Sequence, residues 1–166
     1  VSVEIDEYQP GDEVKMAEIA ARAFARFARH GIDYTLPRDR VDEYYSDEVL
    51  DYARRCADGE KDLQVFVAQR EGEVCGHVVV RINHGDSQQF GMRWGVIQSL
   101  AVEPDCHHQG IGTRLVEAAM QWFRDQRCEY VEVGTDQNNI AAIRLYEAAG
   151  FRVIYCGMTL MQELEY

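Results

Sequence analysis

The chain has no apolar run approaching the roughly 20 residues that a membrane-crossing helix needs, so a spanning segment is excluded. It also lacks internal repeats, low-complexity tracts and Pro/Gly-rich linkers. Nothing divides its 166 residues, and a single domain over 1–166 is expected. Positive charge is scarce: 17 Lys and Arg stand against 29 Asp and Glu, a formal net charge of −12. Binding nucleic acid requires neutralised phosphates, and docking on anionic lipid requires cations, so neither partner is expected. The acidic balance is compatible with a cationic partner, and solubility explains it equally well. Five cysteines, at 56, 75, 106, 128 and 156, include no CxxC pair. Odd in number and scattered, they read as reduced thiols. The acidic, alternating start from Val1 to Asp6 has no signal-peptide character, and a cytoplasmic location is expected.

What is present is an alternation of strand and helix signals. Residues 2–8 alternate around Val3 and Ile5 as a first strand. Pro10-Gly11-Asp12 introduces a helix marked by Val14, Ala17, Ala21, Phe24 and Ala28, which Gly31 ends. Pro37 opens a second helix over about 38–57. Two apolar runs, 63–68 and 74–80, flank a Glu71-Gly72 turn and predict a β-hairpin. Residues 83–94 read as a loop before a strand over 95–103. A helix over 112–127, a strand over 129–134 and a helix over 139–149 follow, with closing strands at 151–155 and 158–165. The order describes a mixed α/β domain.

The most informative stretch is His107-His108-Gln109-Gly110-Ile111-Gly112-Thr113. An apolar strand, Val96-Ile97-Gln98-Ser99-Leu100-Ala101-Val102, runs into it, and a helix with apolar spacing leaves it. Amides at a helix N-terminus lack partners and sit at the positive end of the dipole, which suits phosphate. Glycine lets that backbone approach a ligand closely. The stretch reads as a pyrophosphate seat. No Gly-Lys-Ser/Thr follows the glycines, so it is not a nucleotide P-loop. Cys106, His107 and His108 are adjacent and cannot readily converge on one ion, and no metal is expected.

Downstream stands Asn139-Ile140-Ala141-Ala142-Ile143-Arg144-Leu145-Tyr146-Glu147-Ala148-Ala149-Gly150-Phe151. Together with Leu100-Ala101-Val102 and Gln109-Gly110-Ile111-Gly112, it closely resembles the GNAT superfamily of acyl-CoA-dependent N-acyltransferases, over about residues 95–157. One departure is that His107 occupies the position where the family carries Arg or Gln. An imidazole offers fewer donors than a guanidinium and lacks its permanent charge, so cofactor affinity would be lower and more pH-sensitive.

The resemblance implies a central, mostly antiparallel twisted sheet, splayed between the strands at 95–103 and 129–135, with helices on both faces. It implies acetyl-CoA lying in that splay. The pantetheine would pair with Leu100, Ala101 and Val102, and the pyrophosphate would meet the amides of residues 108–113, with His107, His108, Gln109, Gly110, Ile111, Gly112 and Thr113 around it. Asn139 would contact the cofactor, with N-cap of the last helix as its structural alternative. Tyr146 is in the family's general-acid position, protonating the departing thiolate. Positions 96–99 offer no carboxylate, so the general base is left open between a water ordered by Gln98 or Ser99 and more distant groups. Asp33, Tyr34 and Gln98 are candidate acceptor contacts, where carboxylates and tyrosines suit an ammonium. The implied activity is acetyl transfer to a primary amine, most simply a small molecule. A protein N-terminus or lysine is the nearest alternative, and a non-catalytic acyl-CoA-binding module is the alternative of another class. A homodimer through the closing strands stays open.

Overall fold

The computed structural model describes residues 2–24, 36–162 and 164. Within them, β1 (Val3–Glu7), α1 (Glu13–Phe24), α2 (Arg38–Ala57), β2 (Leu63–Arg70), β3 (Glu73–Ile82), α3 (His84–Phe90), β4 (Trp94–Val102), α4 (Ile111–Asp125), β5 (Tyr130–Val133) and α5 (Ile140–Ala148) follow in order. The strands form one sheet in the order β1-β2-β3-β4-β5. The first three pairings are antiparallel and β4–β5 is parallel. This is the mixed, mostly antiparallel sheet that the family resemblance implies.

Local chemistry explains the elements. Glu71 and Gly72 both have positive φ, 55° and 82°, the backbone of a two-residue hairpin turn whose twist matches its strands. On α4, Ile111, Leu115, Val116, Ala119 and Phe123 form one buried helical stripe. That stripe covers one sheet face, meeting Val78, Val80 and Ile97. The opposite face is covered by α1 and α2, through Met16, Ile19, Ala20, Val49 and Ala53 against Val65, Val67, Val79 and Ala101. Helices therefore lie on both faces of the sheet. No helix among the described residues is long and apolar enough to cross a membrane.

Two expectations are corrected. Residues 83–94 are not all loop, because α3 forms there. Asn83 caps it by accepting from the Asp86 amide at 3.2 Å, and Gly91 ends it at φ 67°. The helix buries no residue, so it leaves no apolar period to read. The closing strands expected at 151–155 and 158–165 do not form among the described residues: 151–162 carry no regular structure. Val153, Ile154, Tyr155, Met158 and Leu160 stand exposed. An apolar alternation becomes a strand only where an edge accepts it, and no described strand pairs with this segment.

The feature that positions the site lies in β4. Val79 pairs with Ser99, but the next residue, Val80, pairs with Ile97, so Gln98 is an extra residue in the ladder. Such a bulge bends its strand and interrupts the alternation of side chains. Ile97 packs with the α4 face. Gln98 and Ser99, however, bond to Arg81 and His77, which share the α1/α2 face with Val79. Two successive side chains thus point the same way.

Candidate functional site

The pairing of β4 with β5 runs only from Trp94↔Tyr130 to Ile97↔Val133. Directly beyond it comes the Gln98 bulge. From there Ser99, Leu100, Ala101 and Val102 pair with β3 alone among the described strands. Backbone groups on the other side of that stretch are left for a ligand, because each peptide unit carries a donor and an acceptor that seek partners. The expected splay is present, and its physical origin is the bulge together with the early end of β5.

The chain leaves β4 through a single 3-10 turn, Pro104–Cys106, and enters α4 by way of two residues with positive φ. His108 has φ 60° and Gly110 has φ 74°. No side chain caps α4, and its first ladder bond is Arg114 N–H to Gly110 O at 3.1 Å. The amides of Ile111, Gly112 and Thr113 therefore precede the ladder, at the positive end of a four-turn dipole. His107, His108, Gln109 and Gly110 are exposed and Ile111 is buried, so the turn presents backbone outward while Ile111 anchors it. A pyrophosphate fits this turn by both charge and donor supply.

The two glycines differ in role. A Cβ on Gly110 would meet nothing, and its requirement is the left-handed φ. A Cβ on Gly112 would sit 3.2 Å from Leu145 Cδ2, so its smallness lets α4 approach α5.

His107 is turned back from the loop. Its Nε2–H donates to Val102 O at 2.9 Å, because a carbonyl can only accept. One imidazole nitrogen and one carbonyl assigned to the cofactor by resemblance thus engage each other. Gln109 Nε2 similarly donates to Asp105 O at 3.2 Å, bracing the turn. Asn139 caps α5 through Oδ1, which accepts from Ala142 N–H at 3.2 Å and leaves Nδ2 for a ligand.

Tyr146 lies on α5 within the α4-side core, 8% exposed, its ring edge-on to Phe151 at 5.7 Å. Burial pushes its hydroxyl up to about 12, so the proton stays in place at neutral pH. On the other face His77 is fully buried, bonded through Nε2 to Ser99 Oγ at 3.2 Å. Burial lowers its pKa to about 4, and it is a neutral structural group at neutral pH.

Asp33 and Tyr34 lie outside the described residues. Gln98 is described, and it accepts from Arg81 Nε at 2.9 Å while donating to Glu48 Oε1 at 3.3 Å. Sequence reasoning missed Glu48, which lies 50 residues away on a helix whose spacing marks only its buried face. A separate groove of about 330 Å³ runs along the seam of α4 and α5, past Met120, Arg124, Leu145 and Ala149. Of the expected site residues only Thr113 borders it. No cluster of three metal-ligating side chains occurs among the described residues.

The profile of the Acetyltransferase (GNAT) family matches residues 17–151. The mycothiol acetyltransferase of Sanguibacter keddieii is 31% identical over 151 residues, covering 90% of this chain and 43% of that protein. The N-alpha-acetyltransferase of Sulfurisphaera tokodaii is 32% identical over 100 residues, 57% of this chain and 60% of that protein. The chain thus spans less than half the length of the first of these relatives. Among solved structures, AAC(6')-Iy in complex with a CoA-containing bisubstrate analog superposes with a TM-score of 0.65 at 15% identity. That match covers 99% of this chain and all of the other, a likeness of fold.

Proposed function

The chain belongs to the acetyltransferase (GNAT) family, and from that premise we propose that it transfers an acetyl group from acetyl-CoA to a primary amine. The observation that carries this is the junction of two features. β4 loses its β5 partner after Ile97, and the same strand then delivers the chain to an uncapped α4 N-terminus. One strand and one turn thereby supply the amide-pairing edge and the anion seat that a pantetheine pyrophosphate requires.

When bound, acetyl-CoA supplies an activated acyl group and a thiolate leaving group. The chain's own residues orient and polarise that group. Leu100, Ala101 and Val102 hold the pantetheine as a strand would, with the Val102 carbonyl already taken up by His107. The Leu100 region aims a backbone N–H at the thioester oxygen, where negative charge develops during attack. Amides of residues 108–113 seat the pyrophosphate, and Asn139 offers Nδ2 from across the splay. Tyr146 holds its proton for the departing sulfur. A hydroxyl with a pKa near 12 gives that proton up reluctantly, so its action is a strong hydrogen bond that completes the transfer late.

Attack by a neutral amine forms the C–N bond, the nitrogen's surplus proton leaves to solvent, and the C–S bond breaks to expel the thiolate, without a covalent enzyme intermediate and in a ternary complex. The acceptor is a small-molecule amine in this reading. The relatives are named for mycothiol and for N-alpha acetylation, which are different acceptors. Thiol release from acetyl-CoA, measured with spermidine, neamine, glucosamine and an alanyl peptide, tests the proposal. Amine-dependent release with acetylated product is expected. Acetyl-CoA binding without release on any amine would instead establish a non-catalytic binding module.

A further inference from the structure

The bulge that opens the splay also builds a polar chain across three elements. Arg81 on β3, Gln98 on β4 and Glu48 on α2 are linked in sequence, at 2.9 Å and 3.3 Å. All three are half-buried, within reach of a solute. A guanidinium offers only donors and a carboxylate only acceptors. The amide between them can therefore sit one way only: Oε1 toward Arg81 and Nε2 toward Glu48. Arg81 thus fixes Gln98, and Gln98 fixes Glu48.

This arrangement leaves one carboxylate oxygen over. Glu48 Oε1 accepts from Gln98, and Oε2 has no partner among the described residues. Glu48 makes no ion pair with Arg81, or with any other described cation, so its charge is not neutralised by direct contact. A half-buried carboxylate held by a neutral amide, with one free oxygen, is a receptor for an ammonium group. Its place is telling. Gln98 is the first residue past the last β4–β5 pair and lies two residues, roughly 7 Å along the strand, before Leu100. The bulge turns Gln98 to the α1/α2 face, opposite the α4 face that carries Tyr146.

We propose that Glu48 is the acceptor anchor: it binds a second, cationic nitrogen of the acceptor near the thioester end of the splay while another, neutral nitrogen attacks, and so selects amines that carry additional positive charge. The inference rests on the acetyltransferase reading and names the substrate class of that same site. The net charge of −12 acts in the same direction at long range, raising the local concentration of cations. Gln98 is a positioning residue, acting through Glu48.

The test is steady-state thiol release at saturating acetyl-CoA with spermidine or neamine as acceptor, comparing wild type, Glu48→Gln and Glu48→Asp. Loss of a charge-assisted contact is expected to raise the acceptor KM about tenfold or more in Glu48→Gln, with kcat within about threefold of wild type. Glu48→Asp recovers part of the loss, because the charge remains at a shorter reach. Thermal stabilisation by acetyl-CoA stays the same in all three proteins, which shows that the fold and the donor site are intact. An unchanged acceptor KM in Glu48→Gln overturns the anchor. So does a wild-type protein that is stabilised by acetyl-CoA yet neither binds nor acetylates either cationic amine. No stabilisation of wild type by acetyl-CoA overturns the acetyltransferase reading itself, and the anchor with it.

Discussion

Replacing Tyr146 by phenylalanine is expected to lower kcat about 100-fold while acetyl-CoA binding stays within about twofold of wild type. The ring is what the fold uses. It packs in the α4-side core and meets Phe151 edge-on at 5.7 Å, and phenylalanine keeps both contacts. The hydroxyl is what the proposed chemistry uses, since a thiolate leaving into a dry cleft needs a donor. Burial raises the hydroxyl to about 12, so the protonated form prevails throughout the neutral range. The contribution of Tyr146 should consequently persist as pH rises to 10 and fade only as pH approaches 12. Loss of one hydroxyl should change unfolding free energy by no more than about 1 kcal/mol. Steady-state turnover alongside a binding isotherm separates the two roles. Equal turnover in both proteins would make Tyr146 a core residue only.

The second large effect is on stability. Gly95→Ala should destabilise the protein by about 1–3 kcal/mol, the usual range for overpacking a core. A Cβ at position 95 would lie 2.5 Å from Cδ1 and Cε1 of Phe123. That ring is 1% exposed and belongs to the buried stripe of α4, so it has no space to retreat into. Gly95 also stands within the four-residue β4–β5 pairing, between Ile82 and Val131. Pushing α4 outward there strains the segment that sets the splay. For a domain of this length each kcal/mol shifts Tm by about 2–4 °C. Combining Gly95→Ala with Phe123→Leu should lose less than the sum of the two single losses, because the smaller side chain relieves the clash. Thermal melts of the three variants check this; additive losses would place the damage elsewhere.

Much of the frame was legible in the sequence because it rests on short-range signals. The Glu71-Gly72 turn, the stripe from Ile111 to Phe123 and the Asn139 cap each follow from local chemistry, and each is present. The glycine turn was equally legible, since Gly110 needs its left-handed φ whatever surrounds it. α3 was not, because a helix that buries nothing shows no period. Its ends did carry a signal, Asn83 as a preferred N-cap residue and Gly91 as a left-handed stop. The tail erred in the other direction: Val153 and Tyr155 have strand character, but pairing is a tertiary event that residue types do not record.

The site divides in the same way. Positions 100–102 and 108–113 fall in one stretch and could be read together. His107 was legible as a departure, but its turn back onto Val102 O depends on the loop's path. Glu48 and Arg81 meet Gln98 only through long-range packing and a one-residue register shift. The adjacent polar pair Gln98-Ser99 inside an apolar strand was the one available hint of that shift.

The central claim is that the splay and the uncapped turn of α4 bind acetyl-CoA. Thermal unfolding of the wild-type protein with and without acetyl-CoA, and with ATP as control, tests it most directly. Ligand at 100 times its Kd adds about 2.7 kcal/mol, a rise of roughly 5–10 °C for a domain of this length. A rise of that size with acetyl-CoA and none with ATP is the predicted result. No rise with acetyl-CoA, or an equal rise with ATP, would contradict it.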